Sequence, residues 1–262
     1  MKESQDSQQQ KKYKVLLIGD SCTDEYIYGS CTKLNPESPV PVLSFNRKET
    51  KLGMSGNVLN NLKSFDIEVQ HITNQEKILK TRYVDERYNH QLLRVDSETR
   101  LNPFLGFLPE EDYDAVVISD YAKGFLTIDK IFEIVETYTC PVFIDSKKQQ
   151  LPDSENCYIK INETEYQKLL TKPKNLIVTL GERGALFQNK IYKGDKVNVF
   201  DVVGAGDTFL ASLTYYYMQT NNIHHAILFA NKAAAIAVQH SGTYVLTKDD
   251  VDLLCRYRWD DL

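Results

Sequence analysis

Short unbroken apolar runs recur along the chain. The first is YKVLLIGD at 13–20, and the form returns in DAVVISD (114–120), PVFID (141–145), CYIKIN (157–162) and NLIVTLG (175–181). Runs this short, without polar alternation, suit strands buried on both faces of a parallel sheet. Four of the five end in aspartate or asparagine. That edge, beyond the C-terminal ends of the strands, is where open α/β sheets place their ligands.

Between the runs, apolar residues fall at helical spacing. SGNVLNNLKSF (55–65) aligns Val58, Leu59, Leu62 and Phe65, and IDKIFEIVETY (128–138) aligns Ile131, Ile134 and Val135. NETEYQKLL (162–170) opens on Asn162 with Glu165 three residues on, a capping-box arrangement. GDTFLASLTYYYMQT (206–220) and HHAILFANKAAAIAVQ (224–239) predict long apolar helices, and TKDDVDLLCRY (247–257) a last one entered through Thr247. Alternating strands and helices predict an α/β fold with a mainly parallel central sheet. Two segments break the rhythm. PVPVLSFNRKETKLG (39–53) and KTRYVDERYNHQLLRVD (80–96), the second with a turn near Asn89, read as a small antiparallel layer beside that sheet.

Composition narrows the class. The chain has 262 residues, 42% hydrophobic, enough for a sizeable core. Lysine and arginine number 31 against 36 acidic residues, a net charge of −5. That balance speaks against a partner such as nucleic acid or an anionic membrane, both of which reward a basic surface. Five cysteines, Cys22, Cys31, Cys140, Cys157 and Cys255, form no C-x-x-C pair, so a reducing, cytoplasmic setting is expected. No run approaches the ~18 apolar residues of a membrane span. The polar opening MKESQDSQQQKK (1–12) predicts a disordered tail without a secretory signal, and residues 13–262 a single domain.

The most informative stretch is FDVVGAGDTF, 200–209. Gly204, Ala205 and Gly206 open an apolar helix, where backbone amides and the helix dipole favour an anion. Asp207 falls in the first turn. A carboxylate beside an anion cradle makes sense as a base that takes a proton from an attacking hydroxyl during phosphoryl transfer. The same residues also suit a helix cap and a tight turn. No Walker P-loop and no G-x-G-x-x-G occurs.

D-V-V-G-A-G-D-T resembles the C-terminal signature of the ribokinase, or PfkB, carbohydrate kinases. The resemblance runs from residue 14 over almost the whole chain. It extends to the kinase domain of the bacterial D-glycero-β-D-manno-heptose-7-phosphate kinases through VLLIGDSCTDEYIYGSCTKLNPESPVPVL, QLLRVDSE (91–98), ISDYAKGFL (118–126), DSKK (145–148) and NETEY (162–166). It implies a ribokinase-like three-layer α/β/α fold with a small β lid, using ATP and Mg²⁺. Asp207 would be the base and Gly204, Ala205 and Gly206 the anion hole. Asp20, Asp24, Gly53 and Asn57 match sugar-binding positions. Asn162 and Glu165 match the N-x-x-E that organises Mg²⁺ and phosphate, largely through water. Thr179, Gly181 and Gly184 match the strand and turn flanking the nucleotide, and Asn231 and Ala234 the helix lining the adenine pocket. The lid would pair between subunits into a homodimer.

Arg82, Arg94 and Lys123 are candidate phosphate clamps, a guanidinium fork being well shaped for phosphate. Asp145 and Lys147 end a strand facing the same cleft. The alternative is that the aspartates at 20 and 24 form a turn after the strand, and that Asn162 and Glu165 cap a helix. Two positions depart from the family pattern. Met54 takes the second glycine place in G-M-S-G-N, where a side chain would narrow the sugar pocket. Val203 replaces a usual threonine, which bears on any monovalent-cation site. No H-x-G-H of a nucleotidyltransferase domain occurs. The reading is an ATP-dependent kinase for the anomeric hydroxyl of a heptose 7-phosphate. The alternatives are the same chemistry on another sugar, sugar phosphate or nucleoside, and a non-catalytic sensor on a kinase scaffold.

Overall fold

A computed structural model describes residues 12–257. The first half of the chain forms β1 (Lys14–Gly19), β2 (Ser21–Leu34), β3 (Pro41–Met54), α1 (Ser55–Ser64), β4 (Glu68–Thr73), β5 (Leu79–Asp85) and β6 (His90–Ser97). Next come β7 (Ala115–Asp120), α2 (Ile128–Thr137), β8 (Val142–Ser146), β9 (Cys157–Asn162), α3 (Glu163–Tyr166) and β10 (Leu176–Thr179). The chain continues through β11 (Ala185–Phe187), β12 (Lys190–Tyr192), α4 (Ala205–Thr220), α5 (Ile223–Ala237) and α6 (Lys248–Arg256). The tail expected over 1–12 lies, apart from Lys12, outside the described residues.

Eight strands make the central sheet in the order β12-β11-β10-β9-β8-β7-β1-β4. From β10 to β4 every pairing is parallel, as the apolar runs predict. Both faces are buried. Val15, Leu17, Val117 and Phe143 pack with α1, α4 and α5, while Leu16, Ile18, Val116, Ile118 and Ile144 pack with Ile131 and Ile134 of α2. Each such side chain contributes about 1.5–3 kcal/mol by leaving water. The α2 face is the thinner one. The crossovers at 98–114 and 147–156 carry no helix, and the helix expected over 162–170 stops after one turn. There the ladder tightens, Lys168 N bonding Glu165 O and Leu169 N bonding Tyr166 O. Leu170 N then leaves to donate to Gln149 O at 2.9 Å.

The β11–β12 hairpin escapes sequence reading because each strand has three residues. Its turn is legible afterwards: Gln188 and Asn189 both take positive φ, 47° and 65°, the geometry of a tight primed turn.

The second sheet, the lid, has the order β3-β2-β5-β6. It is antiparallel at β2–β3 and β5–β6, with one parallel pairing, β2–β5, between them. Strand β2 is not expected from the sequence, because SCTDEYIYGSCTKL mixes polar and apolar residues. Its period of two is real, but an aspartate fills one buried slot: Cys22, Asp24, Tyr26 and Tyr28 are all buried. The register gives the lid two unlike faces. One carries the cross-strand rows Lys51–Asp24–Lys80–Asp96 and Glu49–Tyr26–Arg82–Arg94. The other carries Leu52–Thr23–Leu79–Ser97 and Lys48–Ile27–Tyr83–Leu93. The charged face looks toward the main body, where Thr243 N donates to Tyr26 Oη at 3.3 Å and Lys51 Nζ to Thr243 O at 3.3 Å. Among the described residues no helix is long and apolar enough to cross a membrane.

Candidate active site

Asp207 lies in the first turn of α4, 2% exposed. Its Oδ2 accepts from Asn57 Nδ2 of α1 at 3.0 Å, and its Oδ1 from the Tyr121 hydroxyl at 2.7 Å. Burial pushes its carboxyl up to about 6, against the two hydrogen bonds, which favour the charged form. A carboxylate so poised titrates close to working pH, as a general base should.

Gly204 caps α4 with φ 79°, the left-handed region that favours glycine. A Cβ there would come within 2.7 Å of Asn57 Nδ2, so the close approach also needs glycine. Ala205 N donates to Val202 O at 3.3 Å. The amides of Gly206 and Asp207 have no intrahelical acceptor by helix geometry, an arrangement that can take an anion.

Asp20, at the end of β1, is fully buried. Its Oδ2 accepts from Tyr121 N at 2.7 Å and Lys123 N at 3.2 Å, while its Oδ1 has no partner. Asp24 accepts from Arg82 Nη2 at 3.3 Å. Burial raises the pKa of both carboxyls, and Arg82 pulls that of Asp24 back down. Arg82 is itself 7% exposed, and its Nε is buried without a partner. A Cβ on Gly53 would stand 2.2 Å from Asp24 Oδ2, so glycine there leaves room for that carboxylate. Asp24, Gly53 and Arg82 are thus in contact on the lid, while Asp20 and Asn57 stand at the edge of the main body, and Asp20 Oδ1 and Arg82 Nε are buried without a partner.

Other expected residues are placed differently. Arg94 pairs with Asp96 at 2.9 Å, its side chain half exposed, and Lys123 Nζ is engaged by Glu98. Asn162 and Glu165 complete the capping box, each side chain bonding the other's backbone N–H at 2.9 Å. Thr179 Oγ1 donates to Ile161 O at the end of β10. Gly181 begins the turn that follows, and Gly184 ends it with φ 90°. A Cβ on Gly184 would stand 2.0 Å from Tyr192 O, the same oxygen that accepts from Asn231 Nδ2 at 2.8 Å. Asn231 therefore ties α5 to the end of β12, beside Gly184, and Ala234 lies one helical turn on, partly buried against the core. Met54 does not narrow the gap as expected. It turns with φ 57°, ψ −133°, and its side chain is buried in the apolar cluster that holds Ile18, Cys22 and Ile78.

Three residues at the site are not singled out by the sequence. Tyr121 stands inside ISDYAKGFL without a role. Lys160 is a charge inside the apolar run CYIKIN, which is itself a signal. Thr243, buried at 4% with an unpartnered Oγ1 beside Gly204, follows α5 in HSGTY and leaves no mark in the sequence.

The family described as pfkB family carbohydrate kinase matches residues 154–249, the segment that holds Asn162, Glu165, the 204–207 corner and Asn231. A similar curated protein is "Bifunctional protein HldE" of a Nitratiruptor species, 32% identical over 301 residues, covering 92% of this chain and 64% of the relative. The protein of that name from Helicobacter pylori is 30% identical over 310 residues, covering 92% and 66%. This chain belongs to the pfkB family. As a pfkB chain it spans about two thirds of the length of those relatives. Among solved structures, the ribokinase of Thermotoga maritima aligns with a TM-score of 0.68 at 15% identity, over 94% of this chain and all of that one. Phosphofructokinase-2 of Escherichia coli, in complex with potassium, aligns at 0.65 and 16%, over 94% and 99%. These two likenesses establish the shared ribokinase fold.

Proposed function

We propose that this chain is an ATP-dependent sugar kinase acting on the anomeric hydroxyl of a heptose 7-phosphate. The observation that carries the kinase reading is Asp207: a buried carboxylate with a pKa near 6, held by Asn57 and Tyr121 at the open amides of α4. Those amides hold the charge of the transferring phosphoryl group, and Asp207 takes the hydroxyl proton. The 30–32% likeness to the HldE proteins and the shared heptose-kinase motifs support the choice of sugar. Arg82, buried beside Asp24 with a spare Nε, is the group best placed on the lid for the sugar's own phosphate.

Asn162 and Glu165 offer the oxygen donors that Mg²⁺ prefers and would hold it through water. When bound, the ion would supply neutralisation of phosphate charge.

The test is Asp207→Asn in an ATP-consumption assay with heptose 7-phosphate, fructose 6-phosphate, ribose and adenosine. Loss of the base costs about 10²–10⁴ in rate on the correct acceptor. A variant that keeps the parent rate removes the assignment. A parent that prefers another acceptor keeps the chemistry and changes the sugar.

A further inference from the structure

Lys160 has a setting that the mechanism above leaves unused. It lies on β9 two residues before Asn162, so the two side chains leave the same face of the sheet. It is 5% exposed. Its Nζ stands 2.6 Å from Asp145 Oδ2, on the residue directly opposite in β8. On the other side of the ammonium is the corner itself: a Cβ built on Gly206 would meet Lys160 Nζ at 2.7 Å, and Asp145 Oδ2 at 3.9 Å. A buried cation against the positive end of a helix is disfavoured twice, by desolvation and by the dipole. Asp145 offsets part of that cost, and it keeps the lysine charged despite burial. An anion seated on the Gly206 and Asp207 amides would offset the rest.

We propose that Lys160 is a catalytic residue, its ammonium neutralising the γ-phosphate at the head of α4, with Asp145 holding it there before the nucleotide arrives. The inference rests on the kinase reading. In the step it serves, the sugar oxygen bonds to the γ-phosphorus as the bond to the β–γ bridging oxygen breaks. The hydroxyl proton goes to Asp207, ADP leaves, and Lys160 exchanges no atom. Its position separates it from the lid cations: Lys51, Lys80 and Arg82 stand on the second sheet, Lys160 on the first, against the helix that carries the base. A plain ion pair stitching β8 to β9 would give the same 2.6 Å contact, but it would be indifferent to the nucleotide's third phosphate.

That difference is the test. Binding of ADP and of the non-hydrolysable analogue AMP-PNP, each with Mg²⁺, is measured by calorimetry on the parent and on Lys160→Met. The expected result is a loss of about tenfold or more in AMP-PNP affinity, the scale of a charge-assisted phosphate contact, with ADP affinity unchanged. Turnover falls by about 10²-fold, as when one transition-state donor is removed, with the sugar KM unchanged. Should Lys160→Met strand the Asp145 charge and fail to fold, Lys160→Met/Asp145→Asn removes both charges and is read the same way. AMP-PNP affinity equal to the parent's in the folded variant overturns the role of Lys160 and leaves the kinase reading standing. A parent that binds neither nucleotide overturns both.

Discussion

The corner around Asp207 and the charged face of the lid are both rich in polar side chains, but they are organised in opposite ways. At the corner, Asn57 and Tyr121 both bond Asp207, and Lys160 bonds Asp145 of β8 beside Gly206, so each group comes from a different element of the main body. Asn57 comes from α1, Tyr121 from the end of β7, Lys160 from β9 and Asp207 from α4, and each has at least one fixed partner within 3.0 Å. On the lid, charges pair along and across strands of one sheet, Arg82 with Asp24, Lys80 with Asp96 and Glu98, Arg94 with Asp96, at 2.9–3.8 Å. Hydrogen bonds inside a buried, low-dielectric network fix a geometry. The more exposed of the lid pairs, such as Arg94–Asp96, contribute little and exchange partners easily, whereas Arg82–Asp24 is buried. The corner thus holds one fixed geometry, and the lid carries pairs that can rearrange.

Substitutions at the two regions separate these roles. The largest effect belongs to the corner, where Asp207→Asn removes the base. Next is Arg82→Met on the lid. Among the described residues Arg82 is the one buried cation of the lid strands, and a charged hydrogen bond from it to a sugar phosphate is worth about 1.5–3 kcal/mol. The expected outcome is a KM for the phosphorylated sugar raised by roughly 10–100-fold with kcat little changed, and no such rise for the unphosphorylated sugar. Arg94→Met, one strand over but half exposed, should shift KM only a few-fold. A fall in kcat at Arg82 as deep as that at Asp207 would erase the distinction between the regions.

A smaller effect sharpens the corner alone. Asp207 acts as a base only when deprotonated, so the parent rate should fall tenfold per pH unit below about 6. The Tyr121 hydroxyl bonds the charged carboxylate and so holds that pKa down. Tyr121→Phe therefore moves the acid limb to higher pH. For a shift of about one unit the rate should drop by roughly five- to tenfold at pH 5–6 and match the parent's toward pH 9, measured as kcat against pH. A limb that stays in place shows that the phenol merely fills space.

The strands of the central sheet are legible because burial on both faces leaves a plain signal, an unbroken apolar run. The G-A-G-D corner is legible because three small residues and a carboxylate at the head of an apolar helix are hard to explain by packing alone. The lid centre is not, since Asp24 occupies a slot that the alternation of β2 reserves for apolar residues, and cations distant in sequence, above all Arg82, 58 residues away, make that burial tolerable. Tyr121 and Thr243 are invisible for a related reason. Each reaches the site through a partner distant in sequence, Asp207 for the one and Gly204 for the other. Periodicity reports what a side chain is buried in, and is silent on what it is buried against.

The outer lid face provides the last and smallest test on catalysis. Leu52, Leu93 and Val95 are 44%, 56% and 46% exposed there, with Ile27 and Tyr83 between them in register. Such a surface on an uncovered sheet is a candidate for pairing with a second copy, and we propose that it makes the homodimer expected of the lid. Leu93→Glu with Val95→Glu places two charges on that face and none near the corner. Sedimentation should show the double variant as a monomer where the parent is a dimer. Turnover should change by less than about threefold if the lid's charged face keeps its shape, since exposed substitutions away from the site rarely disturb packing. A parent already monomeric removes the dimer. A dimer lost together with all activity would mean that the lid holds its recognition face only when its other face is covered.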